Sequence, residues 1–201
     1  MLFGPPVPDG LLYRPDFVSP GEERDLVAHI ERLEFSQVEM RGAIARRRTV
    51  HYGWTYGYYA RRSEPGPPLP AFLLALRARA AAWASIDDAA FVEALITEYP
   101  AGATIGWHRD APIFGDVIAG ISLLSPSRMK FRPYVSDTDI RPGGAPRRTT
   151  HEVGLAPRSA YLLTGPARRD FEHSIPAVDR LRYSVTFRTL RQSRREAAGP
   201  G

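Results

Sequence analysis

Arg182-Tyr183-Ser184-Val185-Thr186-Phe187-Arg188 is the stretch on which the fold turns. Polar and apolar residues alternate through it, which is the signature of a strand with one buried face. In an extended chain Arg182, Ser184, Thr186 and Arg188 share one side, and Val185 and Phe187 point the other way, as for a core. Two arginines turned into a barrel-like interior require anions, because unpaired buried charge is costly. A dicarboxylate would supply one carboxylate to each. Standing alone, the run fits two solvated arginines on an exposed face better, so its surroundings have to decide.

Working outward, short β-like runs precede it at residues 90–97, 117–124, 129–134 and 160–164, separated by Gly, Pro and Asp clusters. Residues 137–146 read as a polar, Gly-rich loop. Two helices come before the strands. Ser19 is a natural N-cap, Pro20 fits the first helical position, and Glu22 completes a capping box. Leu26, Val27, Ile30 and Leu33 follow at helical spacing and form one buried stripe. A second helix, rich in Ala and Leu, is predicted from Pro70 to about Ser85. Residues 1–16, rich in Pro and Gly, read as a loose arm. Helices ahead of many short strands give an α+β chain with an antiparallel sandwich or jelly roll at its centre. No internal repeat or linker is evident, so one domain is expected over 1–201. Its helical and lid part would occupy about 1–85, and its jelly-roll core about 90–190.

Composition narrows the function. The chain has 201 residues, 43% of them hydrophobic, enough for a sizeable core. No apolar stretch is long enough for a transmembrane helix, and residues 1–13 lack the pattern of a secretory leader. The chain contains no Cys, which excludes disulfides, Cys-based zinc sites and Cys nucleophiles. A cytoplasmic location fits. The formal net charge is +5, and Lys130 is the only lysine among the basic residues. Arginine suits phosphates and flat rings, so nucleic acid is one partner to consider; a solvated, Arg-rich surface is the plainer alternative.

His108-Arg109-Asp110 comes next. On a strand, residues i and i+2 share a face and can reach one metal ion. With one more neutral His they would make a 2-His-1-carboxylate set, leaving open positions for a bidentate co-substrate and O₂. A lone H-x-D is weak, since short motifs of this kind arise by chance in roughly one such chain in four. His29, His51, His151 and His173 are the candidates for the third ligand. Any of them taken singly reads more simply as a hydrogen-bonded structural imidazole.

Taken together and in order, these residues resemble a family. Thr97-Glu98-Tyr99-Pro100-Ala101-Gly102, His108-x-Asp110, His173 and Arg182-x-Ser184-x-Thr186-x-Arg188 look like the signature of the AlkB-type Fe(II)/2-oxoglutarate dioxygenases. The likeness covers roughly residues 45–190. It implies a double-stranded β-helix core with a nucleotide-recognition lid ahead of it. It implies His108, Asp110 and His173 as catalytic iron ligands. Arg182, helped by the Tyr99 hydroxyl, would take the distal carboxylate of 2-oxoglutarate, and Arg188 would lie near its chelating end. Thr97 and Ser184 stand where the family commonly has Asn, and would keep a polar contact to the co-substrate. The implied cofactors are Fe(II), 2-oxoglutarate and O₂. The implied reaction removes N-alkyl groups from bases of DNA or RNA, giving succinate, CO₂ and formaldehyde. Repair-type members often carry an acid shortly after the ligand Asp. Here Ala111-Pro112-Ile113-Phe114-Gly115 follows, and Asp116 is the nearest acid.

A base must be unstacked to be reached, and flat side chains then hold it. Tyr52, Trp54, Tyr56 and Tyr58 would share a face if extended, with Gly53 and Gly57 suggesting a loop-like ribbon. Arg47 and Arg48 precede them, and Arg61 and Arg62 follow. Single-stranded DNA or RNA suits this set better than duplex. Arg128, Lys130 and Arg132 form a second alternating basic set. No membrane partner is expected, and the chain is expected to be a monomer. Two alternatives remain: a 2-oxoglutarate-dependent hydroxylase of a protein, lipid or small metabolite, and a non-catalytic relative that binds nucleic acid or a partner.

Overall fold

The computed structural model describes residues 7–40, 43–57, 62–135 and 149–191. Tyr58, Arg61 and the loop read at 137–146 lie outside the described residues. Twelve strands and three α-helices follow one another among those described, with one short 3₁₀ helix (Asp88–Ala90) after the second α-helix. They are β1 (Leu11–Arg14), α1 (Pro20–Ile30), β2 (Ser36–Met40), β3 (Ala43–Gly57), β4 (Arg62–Pro65), α2 (Ala71–Ala84), β5 (Phe91–Tyr99), β6 (Ile105–His108), β7 (Phe114–Leu123), β8 (Ser127–Pro133), β9 (His151–Leu155), β10 (Ala160–Leu163), α3 (Gly165–Arg169), β11 (Phe171–Ile175) and β12 (Arg182–Leu190).

Two antiparallel sheets carry the architecture. The larger runs β1-β10-β7-β12-β5-β3-β2, with β4 on β3; the smaller runs β6-β11-β8-β9. β12 is central, hydrogen-bonded to β5 on one side and β7 on the other. Its alternation sets two layers. Tyr183, Val185 and Phe187 pack with Leu26 and Ile30 of α1 and Leu73 and Leu76 of α2. Each such fully buried apolar side chain contributes about 1.5–3 kcal/mol. A second core of Ile118, Tyr161, Met129, Phe131, Leu155 and Ile175 joins the two sheets. Arg182, Ser184, Thr186 and Arg188 face that inner space. This is the double-stranded β-helix expected from the sequence. Among the described residues, no helix is long and apolar enough to cross a membrane.

Both predicted helices form, and the reciprocal capping box of Ser19 and Glu22 is present. Two expectations change. Part of the arm read as loose is strand β1, paired along its length with β10. Its four residues are too few to display a period in the sequence. The described part of the aromatic ribbon, Tyr52 to Gly57, belongs to one strand, Ala43–Gly57, not to a loop. It pairs with β5 as far as Gly53 and with β4 from Trp54 onward. Gly53 makes the switch, with φ +77, where a Cβ would fall 1.9 Å from the Val92 carbonyl oxygen. Short β6 and β9 sit in stretches whose polar and apolar residues hardly alternate.

Arg79 of α2 clasps Glu22 and also donates to the Phe17 carbonyl at 2.8 Å, tying the two helices together. The hydrogen bond from Arg79, then that from the Ser19 amide, holds the Glu22 carboxyl down at about 2. The pair is partly solvated, so Glu22→Gln is expected to lower the unfolding free energy by about 0.5–1 kcal/mol at neutral pH. A carboxylate with a depressed folded value stabilises fully above its ordinary value of 4.5 and loses that contribution as pH falls toward about 2. Wild type and variant should therefore converge in urea melts at low pH. A difference of equal size at both pH values would contradict the clasp.

Candidate metal centre

His108 closes β6, and His173 lies directly opposite it in the register of β11. The two imidazole centroids are 4.3 Å apart. Asp110, two residues past His108, brings Oδ2 to 3.6 Å from Nε2 of His173. Nδ1 of His108 lies 2.9 Å from the Gly106 carbonyl oxygen. A carbonyl only accepts, so Nδ1 carries the proton and Nε2 keeps its lone pair. The other histidines stand elsewhere. His29 stacks on Phe72, His51 approaches Glu93 and His151 lies edge-on to Phe171.

Burial sets the charge states. It pushes the His173 imidazole down to about 3, aided by the neighbouring His108, and it lowers His108 as well. Both rings are neutral at physiological pH, the form that binds metals. Burial would raise the Asp110 carboxyl, but the Arg188 guanidinium and both imidazoles outweigh it and hold it below the usual range. Nε and Nη2 of Arg188 each lie 2.7 Å from Oδ1 of Asp110. Among the described residues, no three His, Asp or Glu side chains stand, as placed, in a group that could hold a metal ion. Asp110 holds one oxygen on Arg188 and turns the other to His173.

Next to this trio is a pocket whose wall includes Thr97, Tyr99, Ser184, Thr186 and Arg182. Arg182 is 2% exposed. Its Nη2 donates to Ser122 Oγ at 2.9 Å, and its guanidinium lies 5.0 Å over the Tyr99 ring. Its Nε and Nη1 are buried with no hydrogen-bond partner. A buried cation with unpaired donors is costly and points to a missing anion.

A sequence profile described as the 2OG-Fe(II) oxygenase superfamily matches residues 10–194. The chain belongs to that family. It is 30% identical over 199 residues to a protein of Arabidopsis thaliana named "Alkylated DNA repair protein ALKBH8 homolog". That alignment covers 91% of this chain and 56% of the relative, so the chain spans about half the length of the curated relative it matches. A solved structure, "The structure of OsALKBH1", superposes with a TM-score of 0.68 at 14% identity. It covers 92% of this chain and 99% of that one, and shows the shared fold. The family implies Fe(II), 2-oxoglutarate and O₂.

The residues present suit those groups. Two neutral imidazoles and a carboxylate form a donor set for a divalent cation such as Fe(II). The unpaired Nε and Nη1 of Arg182 suit a carboxylate, with the hydroxyl-bearing Thr97, Tyr99 and Ser184 around it. Arg188 differs from the sequence expectation of an arginine free for its own carboxylate. Besides Asp110 it holds Glu93, with Nη1 2.9 Å from Oε2.

Several residues of the oxygenase site were not singled out in the sequence. Tyr161 lines the pocket, and burial, then the Asp110 charge, pushes its hydroxyl up to about 12. It sits over Gly120, where a Cβ would fall 2.2 Å from the ring. Arg168 donates to the Gly115, Ala111 and Phe114 carbonyls and so fastens the turn that follows Asp110. Glu93 stands behind Arg188. An acid inside the apolar run 91–96 was the available signal for Glu93; Arg168, beside Arg169 and Asp170, gave none. A tyrosine in a strand gives none.

The lid-side candidates divide. Arg47 is largely buried and donates to the Thr104 carbonyl at 3.3 Å. Trp54 is 36% exposed. Tyr52 instead packs on the helix-side core, and Arg48 forms a bidentate pair with Glu98 at 2.5 and 3.0 Å. Tyr56 lies on β3 opposite Ser63. Arg128 and Lys130 face Glu152, and Arg132 pairs with Glu172, on the outer side of the small sheet. Asp116 turns outward to Arg169.

Arg182→Ala is expected to weaken 2-oxoglutarate binding to the Mn(II)-loaded protein by about 10- to 100-fold, the loss of one or two charge-assisted hydrogen bonds. Isothermal calorimetry measures it. An unchanged affinity would remove Arg182 from the co-substrate site.

Proposed function

We propose that this oxygenase oxidatively removes N-alkyl groups from bases in DNA or RNA, consuming 2-oxoglutarate and O₂ and yielding succinate, CO₂ and formaldehyde. His108, Asp110 and His173 hold the iron. Arg182, with Tyr99, Thr97 and Ser184, holds the distal carboxylate of the co-substrate, and Arg188 orients Asp110. The observation that carries the chemistry is the juxtaposition of two neutral histidines and a carboxylate with a buried arginine whose Nε and Nη1 are unpaired. When bound, iron and 2-oxoglutarate supply the activation of O₂. The protein's own part is to hold both histidines neutral, keep Asp110 ionised, and exclude water from the inner space between the sheets.

Nucleic acid as substrate is supported by three things. The relative's name speaks of alkylated DNA repair. The chain carries a net charge of +5, almost entirely from arginine. Trp54 offers a partly exposed indole on the strand that also carries Arg47. Trp54 and Tyr56 would hold a splayed base while Arg47 contributes positive charge. Tyr58 would join them. A second reading keeps the chemistry and changes the substrate to a protein, lipid or metabolite. The packing of Tyr52 into the core and the pairing of Arg48 with Glu98 favour it, since both withdraw material from a groove.

Reconstitution with Fe(II) under anaerobic conditions, followed by aerobic assay on methylated single-stranded DNA and RNA, separates the readings. Formaldehyde formed in step with succinate is the expected result. Succinate without formaldehyde would support the second reading. His108→Ala and Asp110→Ala should each reduce turnover to background with the circular dichroism spectrum retained. Activity in either would remove that residue from the ligand set.

A further inference from the structure

Glu93 is 1% exposed, on strand β5. It lies directly across from Arg188 in the register of β5 and β12. Its Oε2 accepts from Nη1 of Arg188 at 2.9 Å. Its Oε1 lies 3.4 Å from Nδ1 of His51 on the adjoining strand β3. Arg188 divides its donors: Nη1 goes to Glu93, while Nε and Nη2 go to Oδ1 of Asp110. A line of contacts thus runs from His51, partly open to solvent, through Glu93 and Arg188 to Asp110.

We infer that Glu93 is a positioning residue for the metal centre, acting through Arg188 to keep Oδ2 of Asp110 turned toward His173 and available to the cation. The inference rests on reading His108, Asp110 and His173 as the metal ligands.

Arg188 and a bound cation would compete for Asp110. A guanidinium beside a carboxylate draws on the same lone pairs that a metal needs. Left with Asp110 alone, Arg188 would place its full charge against that carboxylate and rotate to engage both oxygens. Glu93 shares the cation. It also fixes the guanidinium plane, since Nη1 is committed to one side and Nε with Nη2 to the other. His51 closes the far oxygen of Glu93 and restrains its rotation. Contacts one step behind metal ligands commonly change metal affinity by about 10- to 100-fold when removed.

Calorimetric titration with Mn(II) alone tests this on the intact chain, alongside circular dichroism and thermal melting. Wild type should bind and His108→Ala should not. Glu93→Ala should bind about 10- to 100-fold more weakly than wild type. Glu93→Gln keeps an acceptor for Nη1 but loses the charge. It should fall between the two, about three- to tenfold weaker than wild type, a graded rescue that a purely packing role would not give. Wild-type affinity in both Glu93 variants would overturn the inference while leaving the metal site standing. If Glu93→Ala does not fold, Glu93→Gln decides alone, and wild-type affinity in it overturns the inference. Failure of wild type to bind Mn(II), or undiminished binding by His108→Ala, would remove the metal site and this inference with it.

Discussion

A strand carrying two arginines can lie at the centre of a fold only if each charge meets a counter-charge. β12 meets this constraint at Arg188 and leaves it open at Arg182, and the rest of the site follows from that difference. Arg188 meets Glu93 and Asp110. Arg182 meets the Ser122 hydroxyl and the Tyr99 ring, and its Nε and Nη1 have no hydrogen-bond partner. The first arginine is balanced within the protein. The second is balanced only when an anion enters. The pocket therefore has one end already neutralised and one end that calls for a carboxylate.

The same strand also builds the scaffold. Its apolar side chains, Tyr183, Val185 and Phe187, hold the large sheet against α1 and α2. That packing fixes the strand's rotation, because a slip of one residue would send the arginines into the helix-side core. The opposite sheet contributes His108 and His173 as register partners, so two ligand candidates face each other through backbone pairing. Asp110 comes from the turn after β6, which Arg168 fastens through three carbonyls. Precision at the site thus derives from sheet register and from a buried arginine on a short helix.

Much of this was legible in the sequence. The alternation at 182–188 gave the strand and its two faces, but the run alone read as exposed; the ordered motifs around it turned the arginines inward. The capping box gave the start of α1. The ordered motifs gave the family and, with it, His108 and His173 as candidates for one site despite their long separation in sequence. What escaped has physical reasons. Strands β1 and β6 are too short for a period to show. A ribbon interrupted by glycine reads as a loop unless its partner strands are known; Gly53 marks a change of partner in a continuous strand. Tyr52 and Arg48 looked like substrate contacts, but sheet register puts them beside Ala94 and Glu98. Glu93 and Tyr161 become meaningful only when β5, β12, β7 and β10 lie together, since their partners are far away in the chain.

The central claim is that the space between the sheets holds a metal beside a dicarboxylate anchored by Arg182. A crystal structure of the protein grown with Mn(II) and 2-oxoglutarate tests it most directly. The expected result is a metal bound by His108, Asp110 and His173, with the distal carboxylate on Nε and Nη1 of Arg182. A metal or a carboxylate bound elsewhere, with those two nitrogens still unpaired, would contradict the account.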